Sequence, residues 1–273
     1  MIDKKIPFVG LHAHSVAGSI FDALGFPNEH MDFCHENGGE ALALTDHGNM
    51  NGFSHQLLHW QKMKAEGKDF KPIFGVEAYF LPSIEEWRED YDRIKEDKKL
   101  AKSLAKEGDT SGATVEDEEA SKKAIKSVIN RRRHLILLAQ NQTGLTNLFK
   151  LISESYKEEN FYRYPRVDYK LLSKYSEGVI ASSACLGGPY AGNYWANREE
   201  GPEAVKEAMR ETTRQFVKVF GDRWHGELQW NQIPEQHDLN QYIIQMHEEF
   251  GIPLISTADS HYPNPDAWKD REL

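Results

Sequence analysis

Short apolar runs that close on polar residues recur along the chain. Phe8–Leu11 leads into His12-Ala13-His14-Ser15, Ala41–Thr45 into Asp46-His47-Gly48-Asn49, and Pro72–Phe80 carries Glu77 within it. Runs of this length predict buried strands. The same signal marks His134–Ala139, Gly178–Ser183, His225–Gln229 and Ile252–Thr257. Between them, helical periodicity covers Asn28–Asn37, which Gly38-Gly39 stops, then Met50–Lys64, Gly144–Lys157, Pro202–Phe220 and Glu235–Phe250. About seven strand-helix units predict an α/β fold with a mainly parallel sheet. No Gly-x-Gly-x-x-Gly fingerprint is present, so a closed, TIM-like (β/α)7 barrel is favoured over a dinucleotide-binding sheet. Polar residues at the strand ends then meet on one rim.

The alternation breaks over 85–133, a highly charged stretch with a Gly/Ser/Thr-rich middle at Gly108–Thr114. It reads as a solvated helical hairpin inserted into a single domain spanning 1–273. Arg131-Arg132-Arg133 at its end is a weaker candidate for gripping DNA.

The 273 residues are 39% hydrophobic and 28% charged, enough for a sizeable core. No apolar run approaches the roughly 20 residues that cross a bilayer, and the first residues lack a secretory signal, so a cytoplasmic location is expected. Cys34 and Cys185 are too few for a disulfide framework. The net charge of -10 argues against bulk electrostatic binding of nucleic acid. Any polyanionic substrate needs a local positive centre.

The twelve histidines supply candidates for one. Alternate strand residues share a face, so His12 and His14 project together and can hold one metal ion. Alone the pair is as readily structural. His47 after the second run, Glu77 in the third, His134 at the head of the fourth, Cys185 after the fifth and Asp259-Ser260-His261 after the last extend the pattern. His30, His35, His55, His59, His225, His237 and His247 read as structural or solvent-facing, and Cys34 as packing. Trp87, Trp195, Trp224 and Trp230 read as core or interface before base-stacking. Asp46 could orient a metal-binding imidazole or cap the following helix.

The segments Leu11–Ser15, Leu44–Asn49, Pro72–Tyr79, His134–Ala139, Ala184–Gly188 and Asp259–Tyr262 resemble the PHP (polymerase and histidinol phosphatase) domain, in the form found at the N-terminus of bacterial replicative polymerase alpha subunits. The likeness covers nearly everything but the charged insertion. It implies a distorted seven-stranded (β/α) barrel with a three-metal cluster held by nine ligands, matched here by His12, His14, Asp22, His47, Glu77, His134, Cys185, Asp259 and His261. One metal would take His12, His14, Glu77 and Asp259; a second Asp22, His47 and His261; a third His134 and Cys185, with Glu77 bridging. Imidazole, carboxylate and thiolate together suit zinc, manganese or iron.

The chemistry such a cluster supports is phosphoester hydrolysis by an activated water, with Asp259 or His261 handling its proton. The resemblance implies a 3'-5' exonuclease of proofreading type that acts on DNA 3' ends, with a polymerase module in the same or a separate chain. Two rivals are a small-molecule phosphatase acting on histidinol phosphate or pyrophosphate, and a non-catalytic, metal-stabilised scaffold. Amidohydrolase barrels share the first His-x-His, whereas Glu77, Cys185 and Asp259-Ser260-His261 fit the PHP pattern.

Overall fold

A computed structural model describes residues 8–106, 123 and 126–271. In chain order its strands are β1 (Ala41–Leu44), β2 (Lys71–Phe80), β3 (Arg133–Ala139), β4 (Phe161–Tyr162), β5 (Tyr164–Val167), β6 (Val179–Ser182), β7 (Trp224–Leu228) and β8 (Leu254–Ser256). The helices are α1 (Pro27–Glu36), α2 (Phe53–Ala65), α3 (Ile84–Lys106), α4 (Gln142–Ser155), α5 (Tyr169–Tyr175), α6 (Pro189–Asn197), α7 (Pro202–Phe220), α8 (Pro234–Phe250) and the short α9 (Trp268–Arg271). No described helix is long and apolar enough to cross a membrane.

The sheet curls through β1, β2, β3, β6, β7 and β8, with the β4-β5 hairpin alongside β2. Closure comes from the segment around residues 10–14. Ala43 N donates to Gly10 O at 2.7 Å and Thr45 N to Ala13 O at 2.8 Å on one side; His14 N donates to Ser260 O at 2.8 Å on the other. A ring of seven segments results, and the α/β barrel class expected from the alternation holds.

Two expectations need correction. Phe8–Leu11 is not a strand: Gly10 bridges to Leu42 and Ala13 to Ser260, so the segment changes partners before a ladder can form on either side. The sheet is parallel at β1-β2, β6-β7 and β7-β8, but β3 runs antiparallel to both β2 and β6. The chain leaves β2 at Phe80, passes through α3, and re-enters at Arg133, which pairs with Phe80. Leaving and returning at the same rim forces the reversal. His134, at the start of β3, therefore stands level with the C-terminal ends of β2 and β6.

The helix α7 shows why the outer layer forms. Pro202 opens it, and Val205, Met209, Thr213, Phe216 and Phe220 make a buried stripe at three- and four-residue spacing. Phe216 stacks on Trp224 of β7 at 4.1 Å, with planes 7° apart, which ties that stripe to the barrel. Trp87 of α3 is fully buried and donates through Nε1 to Val128 O at 2.9 Å. Beneath it, the buried Arg166 guanidinium lies 3.9 Å from the Trp87 ring and donates to the carbonyls of Ile129, Tyr162 and Tyr164. These contacts clamp both ends of the charged stretch to β5. The expected tip at Gly108–Thr114 lies outside the described residues.

Candidate metal centre

At the rim where the parallel strands end, all nine residues singled out from the sequence come together. Each has a side-chain donor within 4.0 Å of another member's. His12 and His14 face each other through their Nε2 atoms at 3.1 Å. Asp259 Oδ1 lies 3.1 Å from the first and 3.2 Å from the second. Glu77, fully buried in β2, has Oε1 2.8 Å from His134 Nδ1 and Oε2 2.5 Å from His47 Nδ1. Cys185 Sγ lies 3.6 Å from His134 Nδ1 and 4.0 Å from Glu77 Oε1. On the outer side Asp22 Oδ2 stands 3.0 Å from His47 Nε2 and 3.9 Å from His261 Nε2.

On three of these imidazoles the Nδ1 atom is already bonded elsewhere. His12 donates from Nδ1 to Glu227 Oε1 at 2.7 Å, so in the neutral ring Nε2 carries the lone pair. Ser19 Oγ gives its single proton to Asp46 Oδ1 at 2.9 Å and accepts from His14 Nδ1 at 3.2 Å, which leaves the His14 Nε2 lone pair inward too. His261 donates from Nδ1 to the Asp259 carbonyl at 2.9 Å and turns Nε2 toward Asp22. Two imidazole lone pairs and a carboxylate oxygen thus meet within 3.2 Å. Asp259 Oδ1, Glu77 Oε2 and His47 Nδ1 are buried and make no aligned hydrogen bond, despite the last two being 2.5 Å apart. Buried polar atoms without partners are costly, and a cation is the group that satisfies several converging acceptors at once. The donor set fits divalent metal.

Three triads have donor atoms within 4.8 Å of one another: His12, His14 and Glu77; His14, His47 and His261; and His47, Glu77 and His134. The first matches the leading part of one expected ligand set. The others draw His14 and His47 across the divisions that the resemblance suggested.

Electrostatics bear on the same point. Burial disfavours a charged His12, yet Glu227 and Asp259 outweigh it and raise the pKa well above 6.5, so without a cation these carboxylates favour a second proton on the ring, which a bound divalent metal would displace. Burial dominates at His14 and lowers it to about 4. For His47, burial is overcome by Asp22 and Glu77, raising it to about 10. Burial, then the neighbouring Glu77 and Asp259 carboxylates, push the Cys185 thiol far up, so cations alone would favour its thiolate. Asp259 has φ +49 and Ala184, just before Cys185, φ +57, both in the left-handed region that non-glycine residues avoid. Strain of this kind, about 1–3 kcal/mol per residue, persists where surrounding contacts over-determine the backbone.

Glu227 escaped the sequence reading. It lies in β7 fully buried, accepting from His12, Ser182, Thr257 Oγ1 at 2.6 Å and Gln229 Nε2 at 3.0 Å. A carboxylate inside an apolar strand was the available signal. Asp46 neither caps α2 nor touches the His47 ring; it binds Ser15 N at 2.6 Å and acts on His14 through Ser19. The other histidines stay outside the centre: His30 bonds Leu24 O, His59 Asp32 and His247 Ile252 O. Trp87 and Trp224 are core, whereas Trp230 is largely exposed.

The chain is similar to known proteins over most of its length. The PHP domain model matches residues 10–230. The chain is 37% identical over 259 residues to DNA polymerase III subunit alpha of Aquifex aeolicus (strain VF5), covering 95% of this chain and 18% of that protein. The equivalent subunit of Borreliella burgdorferi is 34% identical over 257 residues, covering 94% and 18%. The chain therefore spans less than a fifth of the length of these relatives. A solved structure of histidinol phosphate phosphatase from Lactococcus lactis subsp. lactis, complexed with zinc, L-histidinol and phosphate, aligns with a TM-score of 0.41 at 11% identity, covering 97% of this chain and 89% of that one. With its family match running through most of the barrel, the chain belongs to the PHP domain family.

Proposed function

We propose that this chain is a metal-dependent phosphoesterase acting as a 3'-5' exonuclease of proofreading type on DNA 3' ends, beside a polymerase module in the same or a separate chain. The observation that carries the reading is the convergence of His12 Nε2 and His14 Nε2, whose Nδ1 atoms are bonded elsewhere, on Asp259 Oδ1, next to Glu77 Oε2, which like Asp259 Oδ1 has no hydrogen-bond partner. Relatives of polymerase alpha type favour DNA over a small phosphate.

His12, His14, Asp22, His47, Glu77, His134, Cys185, Asp259 and His261 would hold a trinuclear set of zinc, manganese or iron. Bound there, divalent cations would polarise the phosphoryl group and lower the pKa of water. The protein's own share is positional. Glu227 fixes the His12 tautomer, Asp46 acts on His14 through Ser19, and the Asp259 carbonyl aims His261. Asp259 and His261 sit 3.5 Å apart, Oδ1 to Nδ1, at the open side of the group, where a proton can be taken from water or returned to a leaving 3' oxygen.

The test is metal analysis of protein purified without chelators, joined to digestion of 3'-labelled single-stranded DNA. Stepwise loss of nucleotides from the 3' end supports the reading. Hydrolysis of histidinol phosphate or pyrophosphate with intact DNA would replace it by the small-molecule phosphatase, and no hydrolysis with a metal-dependent melting temperature by the scaffold.

A further inference from the structure

Arg132 stands two residues before His134, on the rim side of β3. Its guanidinium lies 3.7 Å from the centre of the Tyr164 ring and 5.2 Å from that of Tyr79. Tyr79 in turn lies parallel to His47, 6.2 Å between centres with planes 7° apart, and 5.7 Å from His134. One tyrosine ring therefore separates the guanidinium from two imidazoles of the candidate centre. Two neighbouring arginines are used differently. Arg131 pairs with Asp90 at 2.8 Å, and Arg166 is consumed by backbone carbonyls. Arg132 gives one hydrogen bond, from Nη1 to Asn130 O at 3.1 Å, and its Nε is closed off from solvent with no partner. Beside it opens a cavity of about 540 Å³ to which Arg131, Arg132 and Arg133 all contribute.

A planar guanidinium held on aromatic faces is suited to a phosphodiester, because stacking fixes its plane while its Nη groups, which give a single hydrogen bond to Asn130 O, have N–H bonds left to donate. The geometry points to Arg132 as the specificity-determining contact that grips the phosphodiester next to the scissile one in a bound DNA strand, with Tyr79 and Tyr164 as its platform. This rests on the exonuclease reading above. It supplies the local positive contact that a chain of net charge -10 needs for a polyanion.

The test compares Arg132→Gln and Arg132→Lys with the unaltered protein on two substrates: a single-stranded oligonucleotide, and bis(p-nitrophenyl) phosphate, which has no neighbouring nucleotide. In Arg132→Gln the ratio of kcat/KM on the oligonucleotide to that on the small diester should fall about tenfold, the loss of one charge-assisted contact, through KM more than kcat. Arg132→Lys should recover part of it. Fluorescence anisotropy of a labelled oligonucleotide, with metal chelated, should show a matching rise in Kd and a shallower dependence on salt. An unchanged ratio with unchanged anisotropy overturns the inference, as does equal loss on both substrates. If the unaltered protein cleaves neither substrate, the exonuclease reading has failed, and the anisotropy alone then decides whether Arg132 grips DNA.

Discussion

Glu227 offers a strict test of the centre because it touches no substrate and yet should control metal. Its carboxylate accepts from His12 Nδ1 at 2.7 Å, Thr257 Oγ1 at 2.6 Å and Gln229 Nε2 at 3.0 Å on Oε1, and from Ser182 Oγ on Oε2. In Glu227→Gln the amide oxygen can keep the first three, while the amide nitrogen faces Ser182, whose hydroxyl can rotate to accept. The packing cost is therefore about 1 kcal/mol, or roughly 2–4 °C in melting temperature. What disappears is the negative charge that makes His12 a stronger donor. Losing such a support lowers metal affinity about 10–100-fold, or about 1.4–2.8 kcal/mol of binding. Glu227→Ala leaves four donors in a dry cavity and should cost about 3–5 kcal/mol in stability. Isothermal titration with zinc or manganese, beside thermal melting of metal-free protein, separates the two effects. Wild-type metal affinity in a folded Glu227→Gln protein would refute the tautomer argument.

Asp259→Asn should keep the fold, since asparagine tolerates the φ of +49, and lower hydrolysis by about 10²-fold or more; circular dichroism and the nuclease assay check both halves. His12→Ala should reduce the bound metal found by elemental analysis, and unchanged stoichiometry would exclude His12 from the centre. Arg166→Met strands the carbonyls of Ile129, Tyr162 and Tyr164, and should lower stability by about 3 kcal/mol or more, seen as an earlier melting transition. Gly144→Ala would place a Cβ 1.7 Å from the Gly178 carbonyl oxygen, so α4 must shift from β6, and soluble yield and melting temperature should both fall.

The elements that could be read from sequence are those whose signal is local. Pro202–Phe220 emerges with both ends as expected, because a proline, an apolar stripe and a glycine mark it without help from other parts of the chain. The β4-β5 hairpin gave no such mark: it turns on Arg163 at φ +60, where a glycine or asparagine would have announced it. Phe8–Leu11 looked like a strand because it is apolar, but its pairing depends on two partners more than thirty and two hundred residues away. The candidate ligands were legible because their residue types are unusual at the ends of apolar runs. Glu227 was not, since its role depends on meeting His12 across the barrel.

The reversed β3 explains why the site could be assembled from a pattern that looked inconsistent. Seven of the nine residues lie near or beyond the C-terminal ends of apolar runs or in the loops that follow, and Glu77 lies inside β2, whereas His134 begins a run. In an all-parallel barrel His134 would fall at the opposite end from His47 and Asp259. Because β3 enters from the rim, Tyr79 pairs with His134 and Glu77 with Ile136, which sets the Glu77 carboxylate 2.8 Å from the His134 ring. The same reversal places Arg132 at the rim, one tyrosine ring away from the centre. The segment that interrupts the α/β alternation is thus also what turns β3 around, so replacing the connection from Phe80 to Arg133 by a crossover that returns to the opposite rim, as a parallel β3 requires, would remove His134 from the group, and with it the support for Cys185.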